Sequence, residues 1–168
     1  MPNSSLSFWT FSLQTYAKPS VAQTCLDLQD RFGTDVNVLL FLLWCAHCGR
    51  RLTAQNIRNV VDLVNSWQAD VVYPLRLVRR ALKHPAPNWP PQGTELLRER
   101  VKAAELEAER LQQEVMASSI SVSEIGLPDG TRAAARANLS SYAEIAGVVF
   151  PESHIAVFVN CLTDAPIQ

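Results

Sequence analysis

Residues 33–49, GTDVNVLLFLLWCAHCG, decide how this chain folds. Asp35 stands where a side-chain oxygen can accept from the free N–H groups of a first helical turn. Gly49 stands where a chain leaves a helix through the left-handed region. Between them nearly every residue is apolar, from Leu39 through Trp44. A helix apolar on all sides is buried on all sides. At roughly 13 residues it reaches about 20 Å, short of the roughly 20 residues that a bilayer crossing needs. The stretch therefore predicts the central helix of a soluble all-α bundle, over about residues 36–48.

Working outward toward the N-terminus, Phe8, Trp9, Phe11, Leu13 and Tyr16 form an aromatic anchor before Lys18 and Pro19. Ser20 with Gln23 has the spacing of a capping box. Val21, Cys25, Leu28 and Phe32 follow at steps of four, three and four, one buried face of a helix. Toward the C-terminus, Thr53 caps a helix with the stripe Ile57, Val60, Val61, Val64, Trp67 and Val71. Pro74 disfavours helix at Tyr73, so the pattern kinks or restarts there. Beyond it Leu75, Val78 and Leu82 mark an apolar side, and Arg76, Arg79, Arg80 and Lys83 a basic one.

The segment HPAPNWPPQ, residues 84–92, holds four prolines and reads as an extended linker. It divides a helical core at 7–83 from a long amphipathic helix at 94–118, opened by Thr94, with the linker at 84–93. In that helix Leu97, Val101, Ala104, Ala108, Leu111 and Val115 alternate steps of four and three, which reads either as the seam of a short coiled coil or as the stripe by which a solvated helix docks within the chain. Residues 119–168 make a C-terminal segment packed on the core or facing a partner. There Leu127 to Gly130 signals a turn, Thr131 caps a helix to about Ala146, and Glu152 to Leu162 is read as helix.

The chain has 168 residues, 48% hydrophobic and 18% charged, with a net charge of −1. This supplies a core, but no broad basic face for nucleic acid. MPNSSLSFWT lacks the charged and apolar parts of an export leader, which leads to an expectation of a cytoplasmic protein. Four cysteines without regular spacing are expected to be reduced thiols.

The residue types and spacings raise four candidate chemistries. Trp44, Cys45, Ala46, His47 and Cys48 resemble a thioredoxin-type redox motif. Here, however, the motif closes a helix, where the dipole raises a thiol pKa, and the chain lacks the alternating strands of that fold. Zinc on Cys45, His47 and Cys48 lacks a second paired spacing. Asp27, Asp30 and Asp35 do not share one helical face as a magnesium motif requires, since Asp35 is committed as a cap. The basic run Arg76, Arg79, Arg80 and Lys83 fits an acidic partner or a phosphate, against its ordinary reading as the wet side of a helix. The acceptor pattern Asn138, Leu139, Ser140 carries no weight without an export signal.

FWTFSLQTYAKPSVAQTCLDLQDRFGTDVNVLLFLLWCA and VVYPLRLVRRALK resemble a family of small, mostly proteobacterial proteins known as a conserved domain of unknown function. The LQD-x-x-G-x-D-V-N block and P-L-R-x-x-R-R carry the likeness, from Ser7 to the end of the long helix. The resemblance implies a compact helical cytoplasmic protein and brings no catalytic residue, metal or cofactor.

The leading expectation is a non-enzymatic interaction or adaptor module. Its protein partner or second copy would engage helix 94–118, the basic side of 75–83, or both, with no nucleic acid and no membrane span. The alternative is a carrier or enzyme for a small anionic or lipid-like ligand, with Asp27 and Asp30 on one wall of a pocket and Arg76 and Arg80 on another.

Overall fold

The computed structural model describes residues 6–162. The first five residues, part of the stretch read for an export leader, and residues 163–168 of the C-terminal segment lie outside the described residues. The described chain is all-α apart from one two-stranded clip. At its centre α3, Val36–His47, is enclosed from Val38 to Leu43 and again at Cys45 and Ala46. Each leucine or phenylalanine so enclosed contributes roughly 1.5–3 kcal/mol relative to exposure. Asp35 Oδ1 accepts from the backbone N–H groups of Asn37 (2.9 Å) and Val38 (3.3 Å), and Gly49 leaves with φ +72°. Both ends of the helix are where residues 33–49 place them.

Helix α1, Phe8–Tyr16, lays Phe8 on Phe41 and Trp44, with ring centroids 5.3 and 5.2 Å apart. Helix α2, Val21–Phe32, buries Val21, Cys25 and Leu28 as its spacing requires. The expected Ser20–Gln23 capping box is not formed. Ser20 sits at φ +67°, so its side chain does not reach the first turn, and Thr24 Oγ1 instead donates to the Ser20 carbonyl.

After α3 a short strand β1, Arg50–Arg51, pairs antiparallel with β2, Leu127–Pro128, which begins at the turn signal of Leu127 to Gly130. Arg50 donates to the carbonyls of Ile125 and Gly126 at 2.8 Å each. Gly126 has φ +65°, and a Cβ there would overlap the Arg51 carbonyl, so this close approach requires glycine.

Helix α4, Ala54–Trp67, opens with a complete capping box between Thr53 and Asn56. It runs into a π-helical stretch, Gln68–Val72, and on into α5, Tyr73–Ala81. The wider π turn accommodates Pro74, which lacks an N–H and whose ring would crowd the carbonyl four residues back. One extra residue in the turn offsets everything beyond it by roughly 100° relative to a continuous α-helix. Val72 is therefore buried in place of Val71, and Arg76 takes the inward position that the stripe from Ile57 would give Leu75. The expected orientation of α5 is thus corrected. Part of the basic side faces in, while Leu77 and Val78 are exposed.

Helix α6, Pro91–Ser119, begins three residues before Thr94, whose hydroxyl donates to the Pro90 and Pro91 carbonyls inside the first turn. It returns antiparallel along α4 and α5, with Trp67 Nε1 donating to the Ala108 carbonyl and Arg76 and Arg79 meeting Glu105. The buried side of α6 carries Glu105, Ala108, Gln112, Gln113 and Met116. The expected seam is displaced from that side by roughly 80°, and Leu97, Leu111 and Val115 are exposed.

Helix α7, Thr131–Ala146, packs against α3, and its N-cap is Gly130, with Thr131 already inside the helix. Helix α8, Glu152–Cys161, buries Ile155, Phe158 and Val159 as its spacing predicts. Asn138 is fully enclosed, accepting from Leu52 N–H (2.8 Å) and donating to the Leu42 and Arg50 carbonyls (3.2 Å each). That burial closes the side chain of the Asn138, Leu139, Ser140 pattern to modification. No helix among the described residues is long and apolar enough to cross a membrane.

Candidate functional site

The basic run from 76 to 83 divides by position on the helix. Arg76, 6% exposed, donates through Nε to Glu105 Oε1 and through Nη2 to Glu109 Oε1, each at 3.0 Å. Arg79 donates to both oxygens of Glu105. Arg80 turns toward α2 and pairs with Asp30 at 2.6 Å on the surface, while Lys83 is exposed beyond the end of α5. Asp27 also faces away from the arginines of α5. It pairs with Arg31 (2.9 Å) and with His154 Nε2 (2.6 Å), which ties α2 to α8, and Arg31 first and His154 second hold its carboxyl below the usual range.

Of the expected pocket, Asp30, Arg76 and Arg80 line one groove, in which Asp30 and Arg80 close on each other, while Asp27 is elsewhere.

The cluster around Glu105 is electrically self-contained. Burial raises the Glu105 carboxyl, but Arg79 and Arg76 outweigh it and hold it below its ordinary value. Burial wins at Glu109, which is raised despite Arg76. Sequence reading missed both glutamates as partners because they lie among the acid and base pairs of a helix that otherwise looks solvated.

Beside this cluster runs a chain of side-chain amides. Gln112 Nε2 donates to Asp35 Oδ2 (2.7 Å), Asn37 Nδ2 to Gln112 Oε1 (3.2 Å), and Gln113 Nε2 to Asn37 Oδ1 (2.8 Å). Asp35 already accepts from two backbone N–H groups and accepts again from Gln112, and with that amide so turned each one after it is oriented in the same sense. The chain ends at Gln113 Oε1, a buried acceptor without a partner. Burial pushes the Asp35 carboxyl up, against the Gln112 amide and the backbone N–H groups that hold it down.

Both features form the floor of a cleft of about 390 Å³ between α1, α2 and α6. Asn37, Arg76, Glu105 and Gln113 lie at its base, and Trp9, Leu13, Tyr16, Leu26 and Leu106 line its walls. Four of those wall residues, Leu13, Tyr16, Leu26 and Leu106, are among the exposed large apolar side chains. Ser12, 3% exposed, also lines the cleft, and its hydroxyl, like Gln113 Oε1, has no partner.

A family model described as "Protein of unknown function (DUF2390)" matches residues 7–116. The chain belongs to this family. No curated protein and no solved structure matches it. The DUF2390 match ends inside α6 and contains every residue lining the cleft, Trp9 to Gln113, whereas α7 and α8 lie beyond it.

Within the DUF2390 region, the cysteine motif is at the C-terminal end of α3. Burial, then Cys48, pushes the Cys45 thiol up; burial, then Cys161, pushes Cys25 up to about 12. Among the described residues no group of three or more His, Cys, Asp or Glu is placed to hold a metal ion. At pH 8 the Cys25 thiolate fraction is on the order of 10⁻⁴, and thiolates are the reactive form. A colorimetric disulfide reagent at pH 8 is expected to label exposed Cys48 first, and Cys25 and Cys45 only after unfolding. Fast labelling of Cys45 in the folded protein would restore the redox reading. Because both thiols are raised, the unfolded chain loses these protons more readily. Stability is accordingly expected to fall as pH rises from the ordinary thiol value of 9.0 toward about 12.

Proposed function

We propose that this protein is a non-enzymatic binder of a small amphipathic molecule, held in the cleft between α1, α2 and α6. The observation that carries this reading is that one concavity is lined both by exposed apolar side chains and by two residues, Ser12 and Gln113, that each carry a buried polar atom without a partner. Apolar surface left open costs free energy, and a buried polar group without a hydrogen bond costs about 1–3 kcal/mol. A molecule with an apolar body and a hydrogen-bonding head relieves both. The volume suits a small organic ligand.

A second reading, an interaction module, is favoured by a different observation. The long helix turns Leu96, Leu97, Leu111 and Val115 outward, and α5 turns out Leu77 and Val78. One pair of variants separates the two readings. Leu106, 53% exposed, lies on the cleft wall, so Leu106→Arg obstructs the cleft at little cost to the fold. Saturation-transfer NMR with a panel of small organic fragments is expected to give hits with the parent protein that disappear in Leu106→Arg and persist in Leu97→Glu/Val115→Glu. Hits unchanged by Leu106→Arg would overturn the cleft reading. A parent that sediments as a dimer, and as a monomer only in Leu97→Glu/Val115→Glu, would favour the interaction module.

A further inference from the structure

The floor of the cleft also selects the class of head group, an inference that rests on the cleft reading above. The charged groups lining the cleft are Arg76 and Arg79 from α5 and Lys102, Glu105 and Glu109 from α6, with the Asp35 carboxyl hydrogen-bonded to the amide chain behind them. The two arginines are engaged by the two glutamates. Lys102 is a solvated side chain at the rim, 4.0 Å from Glu99. A carboxylate or an ammonium reaching the floor, below the Lys102 rim, meets arginines and glutamates that already pair with one another, and loses its hydration there for no unpaired counter-charge. Hydrogen bonding is what the floor has left to offer. Gln113 Oε1 accepts and cannot reverse, because reversal would set Gln113 Oε1 against Asn37 Oδ1, and the amides behind it are oriented in the same sense from the Gln112 bond to Asp35 onward. The Ser12 hydroxyl can donate or accept.

We propose that the cleft takes an uncharged amphipathic molecule, an alcohol or a primary carboxamide on a hydrocarbon body. Its O–H or N–H donates to Gln113 Oε1, its oxygen accepts from the Ser12 hydroxyl, and its body lies along Trp9, Leu13 and Leu106. A site built to accept a donated hydrogen bond rejects an analogue that lacks the donor more strongly than it rejects a small change in apolar size.

The test is calorimetric titration of the full chain with octanamide, 1-octanol, methyl octanoate, octanoate and octylammonium. Octanamide and 1-octanol are expected to bind at least about tenfold more tightly than methyl octanoate, which cannot donate, and than either ion. Gln113→Met, close in shape and without the acceptor, should bring octanamide and methyl octanoate to within about threefold of each other. Ser12→Ala, a smaller change, should weaken octanamide while leaving methyl octanoate nearer its original affinity, and it serves as the variant if Gln113→Met does not fold. Octanoate or octylammonium binding most tightly, or all five compounds binding within about twofold, would overturn the head-group inference and leave the cleft reading standing. Failure of all five to bind, or binding that Leu106→Arg leaves unchanged, would overturn the cleft reading and this inference with it.

Discussion

Arg76→Ala is expected to lower the stability of the folded protein by about 3 kcal/mol, near the low end of the range for breaking a buried ion pair. The guanidinium is enclosed, and its removal leaves Glu109 without its hydrogen-bonded partner and Glu105 with Arg79 alone. Glu109 already carries the cost of burial, since its carboxyl is raised even with Arg76 present. Urea unfolding followed by circular dichroism measures the loss. The double variant Arg76→Ala/Glu105→Ala should lose less than the sum of the singles, by about 1–2 kcal/mol, because the second change removes a group that the first left exposed to desolvation. Additive losses would show that the two side chains do not act as a unit. For functional work, any ligand lost by Arg76→Ala reports a loosened α5–α6 hairpin, so Leu106, Ser12 and Gln113 are the positions at which to test binding.

The second large effect is expected at Asn138. Its amide serves three backbone groups at once, joining the middle of α3, the β1 clip and the residue before the α4 cap to α7. Asn138→Leu keeps the volume close and removes every one of these bonds. The Leu52 N–H and the Arg50 carbonyl lose the Asn138 partner at a buried junction, which amounts to about 2–4 kcal/mol at the usual cost per buried group. Hydrogen exchange checks the locality of the effect. The Leu52 amide should lose most of its protection, while the amides at the middle of α2 stay slow. Uniform loss across the molecule would mean that Asn138 holds the whole bundle and not one corner of it.

The all-α class and the buried helix were legible in residues 33–49 because two independent signals agree there. An unbroken apolar run implies enclosure, and Asp35 and Gly49 mark its ends. Helix α8 was legible for the same reason: Ile155, Phe158 and Val159 follow one period and are buried. The orientation of α5 and α6 was not legible. Periodicity assumes that the apolar side faces in, and here the interior accepts Arg76 and Glu105 because each satisfies the other. The Ser20–Gln23 spacing failed for a backbone reason, since the left-handed Ser20 points its side chain away from the helix. Of the candidate site, Arg76 and Arg79 were found by their charge. Gln112 and Gln113 were not found, because glutamine in a charged helix has no periodic mark, and only the fold brings them to Asn37 and Asp35.

The π turn at Gln68–Val72 has a consequence for the history of the gene. The turn holds one residue more than ordinary winding needs, so deleting any one residue from it should restore α-helical winding. The deletion would leave α5 facing as it does now, with Arg76 still opposite Glu105, whereas straightening the turn with no deletion would swing α5 by roughly 100° and put Leu75 there. Loss of one such codon is therefore tolerable with no change at position 105. In an alignment of the family, chains one residue shorter between Trp67 and Pro74 should keep an acidic residue where this chain has Glu105 and an arginine facing it.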